Sequence, residues 1–199
     1  MDERIVVTIN SPPGSGNMFC QYLMTESLNF KLRWVDHDAN LFDKDGLNLC
    51  ILRNPYQAVA SGIEIELVSM KKHHQDIALN HIDFFINKTM DGHIDTYNKF
   101  LYNSQNFDYV NSVDFEFLIK EPDQFLKDVS KKFDIQFRKD RLSVEEVKDM
   151  MKNGVGLASR LPREVSELRK QIDEAVNKSV KLNTCYNKYI EYKNSFDFK

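Results

Sequence analysis

The chain has 199 residues, 42% of them hydrophobic and 12% aromatic, and a net charge of -3. That composition suits one globular domain with a sizeable core and excludes a disordered chain. It also excludes a global basic field for nucleic acid or an anionic membrane, so any anion site must be built locally.

Met1-Asp2-Glu3-Arg4 leads into a β-branched apolar run, Ile5-Val6-Val7-Thr8-Ile9. The run predicts a fully buried parallel strand over 4–10. It is too short for a membrane span and its acidic flank is unlike a signal peptide, so a soluble, cytoplasmic protein is expected. Residues 11–19 then read Ser-Pro-Pro-Gly-Ser-Gly-Asn-Met-Phe, followed by a helical pattern over 17–28. A short strand is predicted over 31–35, a polar loop over 36–40, and a buried strand over 47–52. That strand stops at Arg53-Asn54-Pro55, and Pro55 suits the first position of a helix over 55–70. Further helices are predicted over 75–90 and 93–103, with His93 near the start of the second. A strand is expected over 107–117 and helices over 124–133, 144–152 and 163–192, the last with a break. Phe84, Phe85, Tyr97, Phe100 and Leu101 have helical spacing and are expected to pack on the sheet. Strands alternating with helices predict an α/β fold with three α/β/α layers and a mainly parallel central sheet, one domain over 1–199. Cys20, Cys50 and Cys185 lack metal-ligand spacing and are expected to be buried, reduced thiols; no metal site is expected.

In such folds ligands sit at the carboxyl ends of the strands. Gly14 and Gly16 allow backbone to approach an anion, and amides from Ser15 to Met18 would face it from a helix start. Ser15 and Asn17 add side-chain donors. The Walker pattern is absent, because Asn17 follows Gly16 where a lysine is required. A purely structural tight turn is the plain alternative. The second loop adds Arg53 at a strand end and Ser61 under two turns into the next helix, placed to converge on one phosphate. The alternative there is an Arg53–carboxylate pair and a Ser61 that only packs.

Together the two loops resemble the sulfotransferase family, enzymes that use 3′-phosphoadenosine 5′-phosphosulfate (PAPS). The family's first motif, Pro-Lys-Ser/Ala-Gly-Thr-Thr/Ser, is matched by Pro13, Ser15 and Gly16. Gly14 stands at the lysine position, and Asn17 and Met18 at the threonine positions. A Pro-Gly-Ser-Gly-Asn loop variant also occurs among sulfotransferase-like proteins. The second motif, Arg-Asn-Pro-x-Asp-x-x-x-Ser, is matched by Arg53, Asn54, Pro55 and Ser61, with Gln57 for the aspartate. A third pattern, Tyr-Glu-Asp-Leu followed by Pro and a helix, is similar to Phe115-Glu116-Phe117-Leu118 with Pro122.

The resemblance implies a P-loop NTPase-like sulfotransferase architecture with PAPS as donor and no metal. It implies binding of the 5′-phosphosulfate by residues 13–18 and of the 3′-phosphate by Arg53 and Ser61. A late basic loop also contacts the nucleotide in the family; Arg160 and Arg163 stand in the matching region, where a solvated basic turn is the alternative. The acceptor would be a small molecule, carbohydrate or peptide offering a hydroxyl or amine. Ser15 and Asn17, with amides and a borrowed arginine, would replace the missing lysine. His37 is the candidate general base, with Asp36 and Asp38 to orient it or serve in its place, unless 36–40 is only a polar surface loop. A lysine introduced at position 14 is expected to be tolerated. The alternatives are a PAPS-binding protein without turnover and a P-loop small-molecule kinase.

Overall fold

The computed structural model describes residues 5–72, 82–151 and 166–199. Four strands, β1 (Val6–Asn10), β2 (Lys31–Asp36), β3 (Leu47–Leu52) and β4 (Val110–Asp114), form one sheet in the order β2-β1-β3-β4. Every neighbouring pair is parallel. Successive side chains of a strand point to opposite faces, and β3, buried along its whole length, divides accordingly. Cys50 and Leu52 join one hydrophobic cluster, and Leu47, Leu49 and Ile51 the other.

Helices α2 (Pro55–Lys72), α3 (Ile82–Asn106), α7 (Ser166–Lys178) and α8 (Val180–Lys193) supply the first cluster. Helices α1 (Asn17–Ser27) and α5 (Pro122–Phe133) supply most of the second, with α4 (Phe115–Lys120) and α6 (Val144–Met150) beside them. Both faces of the parallel sheet are therefore covered, the arrangement expected when strands alternate with crossover helices. The C-terminal tail closes the β4 edge: Asp114 N donates to Phe198 O at 2.9 Å and Phe198 N to Ser112 O at 3.1 Å. Among the described residues no helix is long and apolar enough to cross a membrane. Cys20, Cys50 and Cys185 are buried and free, as expected.

Three expectations need correction. The strand expected over 107–117 is shorter, because the Asp114 side chain accepts from Glu116 N at 3.0 Å and caps α4 in place of further strand. From Ile82 onward one helix replaces the two expected, and His93 lies inside it; residues 75–81 lie outside the described residues. Gly92 is exposed there, and a glycine in a helix costs only about 1 kcal/mol. The buried stripe Ile86, Met90, Ile94, Tyr97 and Phe100 runs past it. Phe84 points outward, 70% exposed, whereas Tyr97, Phe100 and Leu101 are buried as expected. The break expected within 163–192 falls at Ser179, whose side chain accepts from Leu182 N and caps α8.

The chain leaves β1 for β2 on one side, then returns past β1 to β3 on the other. That reversal leaves a crevice between the carboxyl ends of β1 and β3. The loops at 11–16 and 53–54 meet there.

Candidate functional site

The first loop is shaped by what presses on it. Gly14 and Gly16 adopt φ of 78° and 84°, the left-handed region that strains any residue with a Cβ. A Cβ added at Gly14 would lie 2.7 Å from Ala58 O and 2.8 Å from Ser61 Cβ; one at Gly16 would collide with the Phe115 ring. The expectation that position 14 tolerates a lysine is therefore corrected: helix α2 fills the space the side chain needs. Ser15 N donates to Pro12 O at 3.2 Å, and Cys20 N to Gly16 O at 3.2 Å opens α1. Asn17 Oδ1 accepts from Met18 N at 2.8 Å. The amides of Gly16 and Asn17 make no hydrogen bond to a described residue and remain free, as first-turn donors are. Pro13 is half-buried and Met18 is exposed. Ser15 is fully buried, and neither its hydroxyl nor that of Ser11 has a partner among the described residues.

The second loop grips the first. Asn54 caps α2, its Oδ1 accepting from Tyr56 N at 3.0 Å, and Pro55 occupies the first helical position. Arg53 Nη1 donates to Gly14 O at 3.0 Å and Nε to Gln57 Oε1 at 3.0 Å. The guanidinium lies 4.7 Å from the centre of the Phe115 ring. Nη2 makes no hydrogen bond to a described residue. Burial lowers the Arg53 pKa, and the nearby Arg169 lowers it further. Tyr97 OH donates to Arg53 O at 2.5 Å and anchors the strand end from α3. Arg53 and Ser61 thus both meet Gly14.

His37 closes the third side. Its Nδ1 lies 2.8 Å from Ser11 O, and its Nε2 lies 3.5 Å from Asn17 Nδ2. A carbonyl only accepts, so Nδ1 carries the proton and the Nε2 lone pair faces the Asn17 amide. Asp36 and Asp38 do not orient the ring, contrary to expectation. Asp36 Oδ1 accepts from His37 N at 2.6 Å, and Asp38 Oδ1 accepts from Asn40 N and Nδ2 at 2.9 and 2.8 Å. The segment after β2 also borders a cleft of about 370 Å³ lined by Ala39, Asn40, Asn98, Lys99, Tyr102 and Asn103.

Sequence reasoning missed the roles of Phe115 and Arg169. Phe115 begins the third motif, whose spacing gives no sign of where the ring goes; it closes over Gly16 and under Arg53. Glu116 of that motif pairs with Lys120 at 3.5 Å, Leu118 is buried, and Pro122 starts α5. Arg169 bonds Glu64 at 2.7 Å and Asp173 at 2.9 Å. Arg160 and Arg163 lie outside the described residues. Comparison of the chain with protein-family models, with curated proteins and with solved structures gives no match in any of the three.

Proposed function

We propose that the protein transfers the sulfuryl group of PAPS to a hydroxyl acceptor. One observation carries this reading: the loops after β1 and β3 are clamped at the sheet's switch point by Arg53 Nη1 on Gly14 O, with Ser61 against the same glycine. On this reading Arg53 Nη2 and Ser61 Oγ hold the 3′-phosphate, and the amides of Gly16 and Asn17 face the 5′-phosphosulfate. Sulfuryl transfer is an in-line displacement in which positioning and charge neutralisation do most of the protein's work. The acceptor oxygen forms a bond to sulfur while the bond from sulfur to the 5′-phosphate oxygen breaks. The electron pair leaves on that phosphate, where helix-terminal amides stabilise it. The acceptor's proton passes to a histidine at the carboxyl edge of the sheet.

A second reading, nucleotide binding without turnover, is favoured by Gly14, whose surroundings leave no room for a lysine. Calorimetry with 3′,5′-adenosine bisphosphate and AMP tests what the two readings share. One charge-assisted contact is worth roughly 1.5–3 kcal/mol, or about 10- to 150-fold in affinity. The bisphosphate is expected to bind that much more tightly, and equal affinities overturn both readings. Transfer of radiolabelled sulfuryl from PAPS then separates turnover from binding. Preferential binding of ATP would point instead to the small-molecule kinase.

A further inference from the structure

We propose that Lys193 is a positioning residue for the Arg53 guanidinium, acting through Asp114 and Phe115; the proposal rests on the reading that Arg53 meets a 3′-phosphate. Lys193 lies in the last turn of α8, and its Nζ is 3.1 Å from Asp114 Oδ2 and 3.8 Å from Glu116 Oε2. The same Nζ lies 5.7 Å from the centre of the Tyr189 ring. Asp114 ends β4 with its side chain only 8% exposed, and among the described residues Lys193 is its one paired cation. The two carboxylate oxygens divide the work. Oδ2 takes Lys193, and Oδ1 accepts from Glu116 N as the cap of α4. The backbone is fixed too, since Asp114 N donates to Phe198 O at 2.9 Å. Phe115 is the next residue, and its ring closes over Gly16 with its centre 4.7 Å from the Arg53 guanidinium. Lys193, Asp114 and Phe115 thus form one continuous line of support to Arg53.

Helix α4 has six residues, too few to hold a helix by its own hydrogen bonds. Its start therefore depends on the Asp114 cap, and the cap depends on Lys193. A nearly buried carboxylate deprived of its cation is costly. Turning to water relieves that cost and gives up the Glu116 N bond, so the first turn of α4 loosens and the Phe115 ring moves with it. Arg53 Nη1 on Gly14 O and Nε on Gln57 Oε1 hold two donors of the guanidinium. Its tilt is set by what lies against its flat face, and the Phe115 ring supplies that surface. Without the ring, Nη2 sweeps a wider range, and a phosphate that relies on it must order the side chain on binding. The described side-chain contacts of Lys193 are with Asp114, Glu116 and Tyr189, so its influence on the crevice passes through Asp114.

The test is calorimetry on the full chain with 3′,5′-adenosine bisphosphate and AMP, read as the ratio of the two affinities. Lys193→Met keeps a stem over Tyr189 and removes the charge; it is expected to cut the ratio about three- to tenfold, mostly through the bisphosphate. Lys193→Arg, which can still pair with Asp114, is expected to stay within about twofold of wild type. Phe115→Leu is expected to lose as much as Lys193→Met, and the double variant no more than either, because both cut one line of support. Thermal unfolding of each variant confirms that a folded chain is being titrated. The loss in Lys193→Met is expected to be the same at about 0.05 M and 0.5 M salt, since a displaced guanidinium is not restored by screening. A Lys193→Met ratio within twofold of wild type overturns the proposal. So does a loss that vanishes at high salt, which marks a long-range charge effect, or a double variant whose losses add. Equal wild-type affinities for the two nucleotides overturn the 3′-phosphate reading itself, and this proposal with it.

Discussion

Replacing Gly14 by alanine adds one methyl group at a point where α2 leaves no space. The residue sits at φ of 78°, and a side chain in the left-handed region costs about 1–2 kcal/mol. The added carbon would also stand 2.7 Å from Ala58 O and 2.8 Å from Ser61 Cβ. The first of these is helix backbone and does not swing away, so the loop must move and the Arg53 contact to Gly14 O is disturbed. Strain of that kind adds about 1–2 kcal/mol, giving about 2–4 kcal/mol in total. At about 2–4 °C per kcal/mol for a chain of this size, the Tm should fall by roughly 4–16 °C. Gly92 supplies the control. It lies exposed in α3 with nothing within 4 Å of an added Cβ, so Gly92→Ala should gain about 0.5–1 kcal/mol from helix propensity. Thermal unfolding followed by circular dichroism reads both variants. The same substitution should move Tm down at one glycine and up at the other. A Gly14→Ala midpoint within about 2 °C of wild type refutes the account of the loop.

Arg53→Ala should abolish the preference for 3′,5′-adenosine bisphosphate over AMP, bringing the two affinities within about threefold in calorimetry. Gln57→Asp places a carboxylate beside Arg53 and should weaken bisphosphate binding by roughly five- to thirtyfold, or about 1–2 kcal/mol of competing charge interaction. Stability should fall as pH drops from about 7 to about 5.5. The His93 pKa is lowered in the folded chain, so the unfolded chain takes up this proton first and acid favours unfolding. His93→Gln should flatten that part of a plot of Tm against pH. The three thiols should stay unreactive toward a disulfide reagent at about pH 8 until the chain unfolds, because burial pushes Cys50 and Cys185 up to about 12 and Cys20 higher.

The parts of this fold legible in the sequence are those set by local chemistry. The apolar run of β3 ends at Arg53-Asn54-Pro55, where an asparagine cap and a proline at the first helical position announce α2. The glycine turn before α1 is legible from its two glycines and the helix pattern after it. What escaped depends on distant neighbours. Position 14 reads as an open loop in sequence, yet its freedom is removed by Ala58 and Ser61, more than forty residues away. Phe115 looks like the second half of a strand until the Asp114 side chain is seen to cap α4, which turns the ring over Gly16. His93 carries no ligand-type spacing. Its buried setting comes from the absent side chain at Gly62, thirty-one residues earlier, and from Glu66 one turn beyond. The pairing of Arg169 with Glu64 crosses from α7 to α2 and leaves no local pattern either.

On the sulfuryl-transfer reading, a chain of net charge -3 must hold a nucleotide anion without the lysine of the resembling motif. A loop lysine is sterically refused, since the space it would fill belongs to α2. On that reading the charge around Arg53 takes the place of the lysine. Among the described residues Arg53 bonds neutral acceptors, the Gly14 carbonyl and the Gln57 amide oxygen. The resembling motif carries an aspartate where Gln57 stands. On the sulfuryl-transfer reading the two departures cancel: glycine removes one positive charge from the first loop, and glutamine removes one negative charge from the second. The net charge facing the ligand stays the same, now concentrated on one guanidinium. That guanidinium is held in place by Phe115, Gln57 and Gly14, with Nη2 left to bond. A planar cation fixed by neutral contacts keeps its charge for a ligand, whereas one paired with a carboxylate shares it. Arg169 shows the contrast: Glu64 and Asp173 already satisfy it. Burial, and after it the charge of Arg169, makes the Arg53 guanidinium costlier to keep charged, and on the sulfuryl-transfer reading an anion between the two loops offsets that cost.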